Sequence, residues 1–60
     1  MLLFIDGNPV SKYQALNHYI ISNQSADITE LKMIFVKACT IDGEIQRDML
    51  LSDGIEIILE

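Results

Sequence analysis

Residues 27–39, DITELKMIFVKAC, admit two readings, and the rest of the architecture depends on which one holds. Read as a helix, Ile28, Leu31, Ile34, Phe35, Ala38 and Cys39 recur at a spacing near 3.6 and share one face. Placing each residue roughly 100° after the last gives an apolar stripe about 140° wide. Asp27 stands just before it, where a carboxylate accepts from the free N–H groups of a first turn. Glu30 occupies the position from which a side chain reaches back to complete a capping box. Read as a strand, Met33 to Cys39 uses the β-propensity of Ile34-Phe35-Val36, and Asp42-Gly43 closes a hairpin onto the segment from Glu44 onward. The cap and the stripe agree with each other, so the helix is the expected state.

Two apolar residues fall off that stripe. Met33 and Val36 lie one turn apart on the opposite side, ringed by Thr29, Lys32, Lys37 and Thr40. A helix that only covers a core has no use for them. Met33, Val36, Lys32 and Lys37 are therefore the candidate protein-binding residues; the competing expectation is that Met33 and Val36 pack under the first helix.

Working back toward the N-terminus, Leu2 to Ile5 is a continuous apolar run that reads as a buried strand. Asp6-Gly7-Asn8-Pro9 reads as the turn that ends it. Ser11 caps a first helix, with Gln14 at the capping-box position and Val10 and Ala15 placed as a hydrophobic staple. Tyr13, Ala15, Leu16, Tyr19 and Ile20 share its apolar face; Gln14, Asn17, His18 and Ser22 share the other. Asn23 is expected as a left-handed C-cap before the polar loop Gln24-Ser25. Working forward, Ile45, Arg47 and Met49 alternate with Glu44, Gln46 and Asp48, and Ser52-Asp53-Gly54 makes a turn. Ile55 to Leu59 is isoleucine-rich, so residues 45–50 and 55–59 read as a hairpin. The expected fold is a single α+β domain over 1–60 in the order β-α-α-β-β, with a three-stranded sheet and two helices on one face.

Composition bounds what such a domain can be. A chain of 60 residues buries only about 60% of the surface exposed by its unfolded form. A single core this small rarely supplies more than about 3–5 kcal/mol. One cysteine and one histidine leave no internal disulfide and no basis for a structural zinc site, so association with a partner or with itself is the remaining staple. The net charge is −5, with four basic residues in all. Nucleic acid and anionic membrane are accordingly poor partners. The apolar Met1 to Ile5 is too short for a signal peptide or membrane span, and a lone free thiol points to the cytoplasm.

No constellation carries chemistry. Asp42-Gly43-Glu44-Ile45 resembles the end of an EF-hand loop, but counting back from Gly43 puts Ala38 and Thr40 where oxygen ligands belong. His18 lacks a marked nucleophile or acid partner and reads as a surface histidine. Cys39, on the apolar stripe, reads as a small hydrophobe. The acids Asp42, Glu44, Asp48, Asp53, Glu56 and Glu60 read as a solvated face, or in a sharper version as a surface for a basic partner.

Two resemblances bear on function. Ile41-Asp42-Gly43-Glu44-Ile45 and Leu51-Ser52-Asp53-Gly54-Ile55-Glu56-Ile57 are similar to the closing strands of the ubiquitin-like sulfur carriers, with Leu3 to Val10 as the opening hairpin. That resemblance implies a β-grasp carrier-related protein, though Ile58-Leu59-Glu60 stands where the carriers have Gly-Gly. Two helices and a terminal hairpin resemble a winged helix, which implies DNA binding with only Lys32 and Lys37 on the recognition helix. The leading expectation is neither of these. It is a small acidic protein-binding module, a regulator or inhibitor of the phage-antagonist or antitoxin kind, with no enzymatic activity and no cofactor, that occupies a partner's surface or forms a homo-oligomer.

Overall fold

A computed structural model describes all of residues 1–60. The element order is β1 (Leu2–Ile5), β2 (Asn8–Pro9), α1 (Lys12–Ser22), α2 (Ile28–Ala38), α3 (Glu44–Leu51) and β3 (Ile55–Ile58). It is a small α+β domain with three antiparallel strands and three helices, where the sequence pattern suggested two.

Residues 27–39 resolve as the helix. Leu31, Phe35 and Ala38 of α2 are buried, with Ile34 and Cys39 packed against them. Ile28, at the first turn, is half exposed. The Asp27 carboxylate accepts from the Thr29 N–H at 3.2 Å, but Glu30 does not complete a capping box. In α1 the box is complete: Gln14 N–H donates to Ser11 Oγ at 3.1 Å, and Ser11 N–H donates to Gln14 Oε1 at 2.8 Å. Asn23 ends α1 at φ −131°, outside the left-handed region expected of it.

The hairpin lies at the other end of the chain from the one expected. Asp6 and Gly7 both take positive φ, +50° and +83°, the signature of a two-residue loop whose twist matches the strands it joins. Asn8 and Pro9 therefore belong to a strand and pair with Ile5 and Phe4. Proline is tolerated there because β2 is an edge of the sheet, whose order is β2-β1-β3. The central strand β1 pairs antiparallel with β3, from Leu2 opposite Ile58 to Ile5 opposite Ile55.

Residues 45–50 are helical. Glu44, Gln46, Arg47, Met49, Leu50 and Leu51 are good helix formers, and Leu50 is the side chain that α3 buries completely. The apparent alternation in this segment put Arg47 on an apolar side, where it does not belong. Gly43 makes the tight turn possible: a Cβ there would collide with the carbonyl oxygen of Lys37. The closing hairpin of a winged helix is thus absent, and the first of the two carrier-like closing strands is a turn leading into α3.

Helix α2 packs against both α1 and α3, while α1 contacts β1 and α3 contacts β3. Leu3, Ile55 and Ile57 come up from the strands to meet Ala15, Tyr19, Leu31, Phe35, Ala38 and Leu50 in one core.

Candidate functional site

The outer face of α2 is set by its inner one. Once Leu31, Phe35 and Ala38 point to the core, helical geometry turns Met33 and Val36 the other way. They are 67% and 62% exposed and share a shallow apolar depression with Thr29, Lys32, Lys37 and Thr40. All four sequence-designated residues thus meet on one surface, and neither Met33 nor Val36 packs beneath a neighbour.

Sequence reasoning missed the extension of this surface. A groove of about 290 Å³ between α1 and α2 is lined by Lys12, Tyr13, Leu16, Lys32, Phe35 and Val36. It shares Lys32 and Val36 with the first depression, so the two are continuous. Tyr13 was expected on the apolar side of α1, yet it is 84% exposed at the rim. Periodicity placed its direction correctly but could not show that the core ends one turn later, at Leu16.

The charge on this surface is one-sided. Lys12, Lys32 and Lys37 are exposed around it, and no carboxylate lines either depression. The remaining basic residue, Arg47, is occupied elsewhere. Its guanidinium donates to the backbone carbonyls of Ala38 at 3.1 Å, Ile41 at 3.4 Å and Thr40, neutralising the end of α2, where unpaired carbonyls carry partial negative charge.

His18 is a strut. It is half-buried, and its Nε2 lies 3.0 Å from the carbonyl oxygen of Asp53. Asn23 Nδ2 donates to the carboxylate of the same Asp53 at 2.9 Å and to Tyr19 O at 2.8 Å. Together they tie α1 to the turn before β3. Burial pushes the Tyr19 hydroxyl pKa up, reinforced by the carboxylates of Asp53 and Glu30. Burial likewise raises the Cys39 thiol, against a smaller opposing pull from Lys12 and Arg47. A thiol held protonated is a poor nucleophile. No cluster of three or more His, Cys, Asp or Glu is placed to hold a metal ion, and no helix is long and apolar enough to cross a membrane.

No family model matches the chain, and neither a curated protein nor a solved structure matches it.

Proposed function

We propose that this protein is a small protein-binding module, a regulator or inhibitor that acts by covering part of a macromolecular partner with the outer face of α2. One observation carries the reading. On a chain of net charge −5, the three lysines not used to cap a helix surround a single exposed apolar surface centred on Met33 and Val36. Apolar side chains supply the contact area, and a ring of charge sets which partners are accepted. A protein partner fits better than nucleic acid. With Arg47 engaged by carbonyls, only three cations remain to neutralise phosphates, against a net negative field.

The test is a paired capture experiment followed by reconstitution. Wild type and Met33→Lys/Val36→Lys are immobilised side by side in cytosol, and the retained proteins are compared by mass spectrometry. The reading expects a protein held by wild type, lost by the variant, and bound by wild type again when purified. Equal retention by both would remove this face from the function.

A further inference from the structure

The α2 surface has a counterpart on the same chain. Helix α3 turns Leu50 inward, so Glu44, Ile45, Asp48 and Met49 point outward. Ile45 is 72% exposed and Met49 42%. The two faces are opposite in charge: each carries an apolar pair one turn apart, with Lys32 and Lys37 on either side of the α2 pair and Glu44 and Asp48 along one side of the α3 pair. Pairs spaced three or four residues apart form the ridges with which helices interdigitate.

We propose that a second copy of this chain docks its α3 face on the α2 surface, Ile45 and Met49 against Met33 and Val36, Glu44 and Asp48 toward Lys32 and Lys37. This rests on the reading of the α2 face as a contact surface and names one occupant for it. Helices α2 and α3 lie side by side, so two copies can make this contact twice about a two-fold axis, each α3 on the other's α2, or once, head to tail. The charge of −5 on each copy opposes approach at long range and is screened within about 8 Å at physiological salt. The contact is therefore weak and concentration-dependent.

Sedimentation analysis from about 10 µM to about 1 mM, the range in which weak contacts populate, tests it with a charge swap. Wild type is expected to rise in mean mass with concentration, to the dimer or beyond. Lys32→Glu/Lys37→Glu and Glu44→Lys/Asp48→Lys are each expected to stay monomeric, and an equimolar mixture of the two to recover association. Glu44 also favours the start of α3, so circular dichroism must show the helix intact. If it is not, Lys32→Glu with Asp48→Lys serves as the swap pair. A wild-type chain that stays monomeric to about 1 mM, or a mixture that fails to associate, would each overturn the inference. A monomeric chain whose partner is still lost on Met33→Lys/Val36→Lys would overturn it while leaving the proposed function standing.

Discussion

The Arg47 guanidinium donates to the carbonyl oxygen of Ala38, the last residue of α2, from the first turn of α3. One side chain thus satisfies the end of one helix and fixes where the next begins.

Arg47→Ala is expected to lower stability by about 2 kcal/mol, since hydrogen bonds from charged groups contribute about 1.5–3 kcal/mol. In a domain this small each kcal/mol shifts Tm by about 4–8 °C. Arg47→Lys should recover less than half, because an ammonium cannot span several carbonyls as a planar fork does. Thermal melts of the three proteins check this. A loss under about 0.5 kcal/mol for the alanine variant would mean that water replaces the guanidinium.

Gly43→Ala should destabilise by about 1–3 kcal/mol, the usual range for forcing volume into a packed site. Its φ of −93° is open to any residue. The penalty comes from Lys37 O and the Ala38 Cα, which a Cβ would meet. Denaturant titration of the alanine variant measures it. An unchanged midpoint would show that the α2–α3 turn shifts freely.

The two faces of α2 should respond in opposite ways. Phe35, 1% exposed, fills the centre of the core, and Phe35→Ala should cost about 3–5 kcal/mol. That approaches the whole stability of a single core this size, leaving the variant largely unfolded. Met33→Lys and Val36→Lys should each change stability by no more than about 0.5 kcal/mol. Circular dichroism melts at low concentration separate the cases, and lysine variants that unfold like Phe35→Ala would place Met33 and Val36 in the core.

Stability should decline at alkaline pH. The Cys39 thiol and Tyr19 hydroxyl both have folded pKa values raised by burial. Above its ordinary value each group loses its proton in the unfolded chain while keeping it in the folded one, so the unfolded state binds fewer protons and stability falls with rising pH. The decline should begin as pH passes the ordinary thiol pKa of 9.0, with Tyr19 adding to it above 10.0. Cys39→Ala should remove the earlier part of the slope in melts between about pH 8 and pH 10. An identical slope in the variant would exclude Cys39 as its origin.

What could be read from the sequence depended on whether neighbouring residues alone decided an element. Asp27 with the Leu31–Phe35–Ala38 stripe, and Ser11 with Gln14, are local signals, and both helices formed as read. Glu44 to Leu51 holds only about two helical turns, so alternation and helical spacing fit it almost equally. What decides it is Leu50 reaching a core that the segment itself does not reveal. Asp6-Gly7 is a hairpin signal, but Pro9 masked the strand after it, because proline is admissible only on an edge and sequence does not say which strand is one. The candidate residues on α2 were legible because they are the complement of its stripe. Tyr13 was not, because where a core stops is a tertiary fact.

Leu2 and Ile58 face each other across β1 and β3. Antiparallel pairing sends the backbone before Leu2 and the backbone after Ile58 out at the same corner, about 5 Å apart. A host polypeptide could enter this fold and leave it with little more displacement than a tight loop requires, so the domain is geometrically suited to being grafted whole into another protein's surface turn. The graft would keep its sheet intact and leave the outer faces of α2 and α3 uncut.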